Sequence, residues 1–332
     1  MTAVTLVMGA GGVGKTTVAA GLAALASRRG RQTLVITVDP ARRLADALGA
    51  PAGDTPTPVP GMPRLHASMV DAAASWEATV RQHADPATAE RLLSNPFFRA
   101  VADRFPAGQS YAAAEEVTRH TASGDFEVIV VDTPPSEGGL EFLSAPESMR
   151  SLVAGRALRL LTGARIPGRR LFYSVTTRPA LRIADSILGG RLLEDVAEFL
   201  IDLSTIYGGV ARRSREVEEV LRAASPVAVA TPETHAVHEV ERMLGHTGWP
   251  VPPVVVLNRM LPADWAKAGA GSGPLAINVS RWRAEARRHE SLRRALAATT
   301  GAEPAVLPWL ATPPDTPDAL ADMIEAAGLQ VA

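Results

Sequence analysis

The sequence predicts a doubly wound α/β fold: a mostly parallel sheet covered by helices, with an inserted α-helical subdomain. Three observations lead there. Short apolar runs rich in β-branched residues alternate with stretches of helical spacing. The first run opens into a glycine-rich loop that leads straight into a helix. Two later runs each end on an aspartate with proline close behind it.

Taken in order, Thr5 to Met8 is the first apolar run, and Thr16 to Arg28 then repeats apolar residues at helical spacing until Gly30 stops it. Thr33 to Val38 is a second run, ending at Asp39-Pro40, and Val128 to Val131 a third, ending at Asp132-Thr133-Pro134. Val227 to Ala230, Val254 to Leu257 and Ala305 to Leu307 continue the series. Such runs fit strands buried on both faces of a parallel sheet. The core is therefore assigned to residues 1–70, 126–146 and 226–332. Residues 71–125 and 147–225 lose the strand signal and become rich in Ala, Leu and Arg, and we read them as two insertions forming one helical subdomain for a client or partner. Residues 51–63 read as a proline-rich loop and 267–274 as a Gly/Ala/Ser loop.

Composition narrows the chemistry. A chain of 332 residues, 46% apolar with a net charge of −1, can bury a full core and is neither disordered nor fibrous. Near-neutral charge argues against nucleic acid as a partner. The absence of cysteine excludes disulfides, thiolate catalysis and cysteine-ligated zinc. No basic stretch precedes the first apolar residues, and no run approaches the roughly 18 apolar residues of a spanning helix. The expectation is a cytoplasmic protein that is not integral to a membrane. Of 34 basic residues only Lys15 and Lys267 are lysines, so a lysine inside the glycine loop points to a specific chemical need.

Gly9-Ala10-Gly11-Gly12-Val13-Gly14-Lys15-Thr16 fits G-x-x-x-x-G-K-[ST], in the strand-to-helix position that motif requires, with Thr17 next. Glycines let backbone N–H groups turn inward around phosphate oxygens, and the helix N-terminus favours negative charge. Lys15 can reach the β- and γ-phosphates and Thr16 can ligate Mg²⁺. Gly9, Gly11 and Gly14 also satisfy G-x-G-x-x-G, with Asp39 where a dinucleotide ribose carboxylate would lie. Lys15-Thr16 decides for the triphosphate, because a dinucleotide site has no use for them. Asp39 and Asp132 lie at carboxyl ends of strands, where ligands of open α/β sheets bind. Asp132 is assigned to Mg²⁺ through water, and Asp39 to orienting the water that attacks the γ-phosphate.

With these residues placed, the chain resembles the ArsA-type ATPases, which include arsenite-pump ATPases and the guided-entry ATPases for tail-anchored membrane proteins. Gly11-Gly-Val-Gly-Lys-Thr-Thr17 is similar to the family's deviant Walker A loop. Asp39-Pro-Ala-Arg-Arg-Leu-Ala-Asp46 resembles its first switch, and Asp132-Thr-Pro-Pro-Ser with Leu140-Glu-Phe-Leu-Ser-Ala-Pro146 its second. The resemblance implies ATP and Mg²⁺ as ligands, Asp39 and Lys15 as catalytic residues, and Thr16 and Asp132 at the metal. It implies nucleotide contacts at Glu233, at Asn258 and Arg259, with Asn258 reading adenine, and at Leu307-Pro308 on the adenine side. It also implies a dimer and a helical or membrane-protein client.

Two departures qualify the resemblance. The family's signature lysine, which reaches into the partner's site, is replaced by Ala10, so Arg42 or Arg43 would substitute or a lysine-bearing paralogue would complete a heterodimer. Arsenite would need the thiolates this chain lacks. Three readings stay open: a self-sufficient dimeric ATPase, a catalytically weak nucleotide-binding subunit, and a small-molecule phosphotransferase on the same loop. Outside the motifs, Arg150 to Arg182 holds eight arginines and no acid among apolar residues. It reads either as a surface for a client helix or anionic partner, or as core helices with solvated arginine faces. His235, His238 and Glu239 could line one helix face as metal ligands, or be a solvated helix start.

Overall fold

The computed structural model describes residues 2–38, 43–95, 98, 106–134, 142–148, 192–245, 253–267, 269 and 273–330. Asp39, Arg42 and the segment Arg150 to Arg182 lie outside the described residues. The chain divides into two compact units: Met1–Val70 with Val117–Phe142 and Val220–Ala332, and Asp71–Glu116 with Leu143–Glu219.

The first unit is built on an eight-stranded sheet. Its strands are β1 (Ala3–Met8), β2 (Thr33–Thr37), β3 (Thr57–Val59), β4 (Met62–Met69), β5 (Val128–Asp132), β6 (Ser225–Ala230), β7 (Val254–Met260) and β8 (Ala305–Pro308), in the order β3-β4-β2-β5-β1-β6-β7-β8. Every pairing is parallel except β3 with β4. All five residues of β2 and all five of β5 are buried, which is why they read as unbroken apolar runs. Helix α1 (Lys15–Arg28) packs across β1, β2, β4 and β5. The short α2 (Arg43–Leu48) follows β2, α7 (Thr234–Leu244) lies on β6, and α8 (Ala276–Thr300) reaches β7. The last helix, α9 (Pro317–Ala326), lies along α1 so closely that a Cβ on Gly21 would sit 2.6 Å from Ile324 Cγ1.

One expectation fails here. Most of the stretch read as a proline-rich loop is an edge hairpin, β3 turning through Pro60-Gly61 into β4. Prolines hid it. Pro58 is tolerated because β3 is an edge strand with an irregular register at Pro58/Val59, and Pro63 sits near the start of β4.

The second unit contains α3 (Ala72–His83), α4 (Pro86–Ser94), and most of α5 (Pro106–Ser123) and α6 (Leu192–Arg222). Side-chain caps start its short helices: Asp71 accepts from Ala74 N at 3.0 Å and Asp85 from Thr88 N at 3.1 Å, with Pro86 opening α4. Trp76, Val80, Leu92, Phe98, Tyr111 and Phe199 anchor its apolar core. Through that core runs a polar seam. Arg213 Nε donates to Glu115 at 2.7 Å, and Ser214 hydroxyl donates to Tyr111 hydroxyl at 3.2 Å. Burial pushes the Glu115 carboxyl above its ordinary range and the Tyr111 phenol up to about 12. Among the described residues of both units, no helix is long and apolar enough to cross a membrane.

Candidate functional site

The parallel register brings three strand ends together. Val7 of β1 and Thr37 of β2 both stand beside Asp132 of β5, and Val38 N–H donates to the Asp132 carbonyl at 3.2 Å. A loop leaving β1 at this level and entering α1 therefore lies over the carboxyl edge of the central strands, where ligands of such sheets bind.

Glycine is required in that loop for stated reasons. A Cβ on Gly9 would lie 2.1 Å from the Val229 carbonyl oxygen, and Gly14, at φ 94°, would drive a Cβ to 2.3 Å from Asn258 Nδ2. Gly14 is the left-handed N-cap of α1, its carbonyl accepting the first helical hydrogen bond from Val18 N at 3.0 Å. Lys15 is buried, and its ammonium donates to the carbonyls of Gly9 at 3.0 Å and Ala10 at 3.1 Å. Both carbonyls are neutral acceptors of its own loop. Anionic phosphate oxygens would be stronger partners for it.

Behind the lysine, Asp132 is 1% exposed. One of its oxygens accepts from the Thr16 hydroxyl at 2.7 Å and from the Thr37 hydroxyl at 3.0 Å. A buried carboxylate next to a hydroxyl at the head of a phosphate loop is a hard oxygen donor pair, and it fits Mg²⁺, which takes one or two protein oxygens and completes its shell with water and phosphate. Among the described residues no group of three or more His, Cys, Asp or Glu is placed to hold a metal ion.

These groups open on one cleft of about 450 Å³, lined by Gly12, Gly14, Lys15, Thr16, Thr17, Arg43, Asp46, Asp132, Thr133 and Arg259. Thr133 is held there by donating its hydroxyl to the Val7 carbonyl at 2.9 Å. The sequence pointed to most of this wall but missed Thr133, and it missed Thr37, which holds Asp132 from behind; both positions follow only from the strand register.

Other predicted site residues fall elsewhere. Ala10 is buried, its carbonyl taken by Lys15. Gly11 lies exposed on the loop, and Val13 points into the core. Asn258 is a prop beneath the loop: its amide donates to the Val13 carbonyl at 2.8 Å, and its oxygen accepts from Arg259 N at 2.9 Å. Arg259 pays for that contact with φ 58°, the one positive φ among described non-glycine residues. Leu307 is fully buried within β8, so its side chain belongs to the core rather than to a ring contact, and Trp309 just beyond Pro308 is 48% exposed. Glu233 precedes α7 with its carboxylate in solvent near His235, while His238 faces Glu241 and Glu239 pairs with Arg242. Of these residues, Arg259 lines the cleft and the others do not.

Comparison with known proteins agrees with this geometry. The family model described as anion-transporting ATPase matches residues 2–270. The chain is 32% identical over 160 residues to "ATPase GET3" of Mycosarcoma maydis, covering 47% of each protein. It is 31% identical over 149 residues to "ATPase get3" of Schizosaccharomyces japonicus, covering 44% of each. An uncharacterized protein of Streptomyces coelicolor is 31% identical over 279 residues, 82% of this chain and 66% of that protein. The matched stretch thus spans about half the length of the two fungal relatives. With the matched family model spanning the glycine loop, the buried aspartate and Asn258, the chain belongs to the anion-transporting ATPase family.

Proposed function

We propose that the protein is a Mg²⁺-dependent ATP hydrolase that works as a nucleotide-gated dimer in the cytoplasm. One observation carries this reading: the glycine loop places Lys15 and the Thr16–Asp132 pair, 2.7 Å apart, on the same cleft. On binding, Lys15 exchanges the Gly9 and Ala10 carbonyls for phosphate oxygens, and the loop N–H groups and the α1 N-terminus hold the rest of the negative charge. Thr16, and Asp132 through water, would hold Mg²⁺, which would supply neutralisation of charge on the β- and γ-phosphates. Asp39 lies two residues beyond Thr37, and its role is to orient the attacking water. Arg259, on the cleft wall, serves the nucleoside end, with Asn258 carrying adenine recognition through its position under the loop. The helical unit is the client or partner surface, and no nucleic acid takes part.

A second reading is favoured by Ala10. Without a lysine there, the chain would hold nucleotide and complete the site of a lysine-bearing paralogue in a heterodimer. Steady-state ATP hydrolysis by the purified chain, with Asp39→Asn as control and molecular mass measured in ATP, separates the readings. Acceptor-free turnover that disappears in Asp39→Asn, with dimers formed in ATP, is the expected result. Tight binding without turnover selects the heterodimer subunit, and turnover only with an added acceptor selects a phosphotransferase.

A further inference from the structure

Thr37 ends β2 at a place where packing alone would suit a valine. It is 2% exposed, and the rest of the strand is buried with it. A hydroxyl in such a position costs free energy unless it is hydrogen-bonded, whereas valine has nearly the same shape and also favours strands. The bond it makes is therefore the reason to look further.

Strand register decides which group it meets. β2 and β5 are parallel with Thr37 beside Asp132, so the two side chains stand on the same face of the sheet, and the Thr37 hydroxyl donates to Asp132 Oδ2 at 3.0 Å. The same oxygen accepts from the Thr16 hydroxyl at 2.7 Å. The two hydroxyls differ in their surroundings. Thr16 lines the cleft in the first turn of α1, open to a ligand, while Thr37 stands behind the carboxylate and is not part of the cleft wall. The backbone around Thr37 is held from both sides. Val38 N–H donates to the Asp132 carbonyl at 3.2 Å, and Val70 N–H, just past β4, donates to the Thr37 carbonyl at 2.9 Å. Its hydroxyl is thus a donor placed by the sheet, independent of the glycine loop. Carboxylates at metal sites are oriented by the hydrogen bonds behind them, and losing one such partner costs about 10–100-fold in metal affinity or activity.

We propose that Thr37 is a positioning residue for the metal: its hydroxyl fixes the Asp132 carboxylate so that it can hold Mg²⁺ through water beside the Thr16 hydroxyl. The inference rests on the reading of the cleft as a site for Mg²⁺ and nucleotide, and adds to it a residue that touches neither.

The test is Mn²⁺ binding to the full chain, held in excess over ADP, followed by the electron paramagnetic resonance of free Mn²⁺. Mn²⁺ shares the oxygen ligands and octahedral geometry of Mg²⁺. Thr37→Val should weaken Mn²⁺ binding by about tenfold or more. ADP affinity in EDTA, measured by titration calorimetry, should stay at the wild-type value. Thr37→Ser keeps the hydroxyl and should bring Mn²⁺ binding back to near wild type. Undiminished Mn²⁺ binding by Thr37→Val overturns the inference, and so does a serine variant as weak as the valine one, or an equal loss of ADP affinity in EDTA. Should Thr37→Val not fold, Thr37→Cys takes its place: a thiol is a weak donor, so Mn²⁺ should bind more weakly than in Thr37→Ser, and equal binding overturns the inference. The underlying reading fails separately, in the wild type. A wild-type chain that binds no ADP with or without Mn²⁺ removes the nucleotide site and the inference with it, whereas one that holds Mn²⁺ with ADP but does not hydrolyse ATP removes the hydrolase reading alone.

Discussion

Both units bury a carboxylate, and they hold it in opposite ways. Asp132 in the sheet unit is kept by two hydroxyls, Thr16 and Thr37, at the wall of an open cleft. Glu115 in the helical unit is kept by Arg213, which also reaches Glu216 at 2.6 Å, with Tyr111 and Ser214 alongside. The hydroxyls on Asp132 are neutral partners. The arginine on Glu115 is a charged one, tying α6 to α5. Burial beside a cleft thus prepares chemistry, whereas burial between helices fixes their register.

The largest expected effect tests the first half of this contrast. Lys15→Met should lower turnover by about 10²–10³-fold, the range for losing one preorganised charge-stabilising group, without changing the melting temperature of the helical unit. A coincident loss of helical stability would mean that the two polar systems are not separate.

Arg213→Ala comes next and should destabilise the helical unit by about 2–4 kcal/mol, by stranding Glu115. Glu115→Gln in the same chain should recover much of that loss, because no charge then remains buried. The pH dependence has a definite sign. Glu115 is raised above 4.5 by burial, so its contribution is fully present below that value and is lost as pH rises through its folded-state value. The Arg213→Ala deficit should therefore grow from pH 4.5 toward neutrality in denaturant melts. His83, half-buried against Gly209, is displaced in the other sense: burial and Arg213 lower it from 6.5, so its contribution is present above 6.5 and fades as pH falls. His83→Leu should flatten that acid-side loss.

Asn258→Ala should cost about 1–2 kcal/mol in the sheet unit, since the Val13 carbonyl and the Arg259 N–H both lose their partner, and it should weaken nucleotide binding as the loop loosens. Smallest is Arg259→Gly. Relief of the left-handed backbone should add about 1 kcal/mol of stability while nucleotide affinity falls, measured by melting and by titration calorimetry. Equal affinity would take Arg259 out of the site.

The glycine loop between β1 and α1 was legible because its signal is local: glycines, a lysine and a hydroxyl stand contiguous in the sequence. The parallel strands were legible because burial on both faces leaves unbroken runs such as Val128 to Val131. The edge hairpin was not, because an edge strand tolerates the prolines that argue against a central one. Asn258 illustrates a different gap: the resemblance implied an adenine contact for it, and its hydrogen bond to the Val13 carbonyl, 245 residues away in sequence, was not readable from any local pattern.

By itself the sequence determined the fold class, the strand-to-helix glycine loop, and an acid at the end of β5. It also determined the missing lysine at Ala10 and the absence of cysteine. Only the tertiary structure decided which groups meet: Thr37 on Asp132, Lys15 on its own loop carbonyls, Asn258 under Gly14, Arg213 on Glu115, and the ring of Trp265 edge to face on Trp282. The physical reason is that motifs encode what one segment must do alone, whereas contacts between distant segments depend on strand register and helix packing, which no local pattern records.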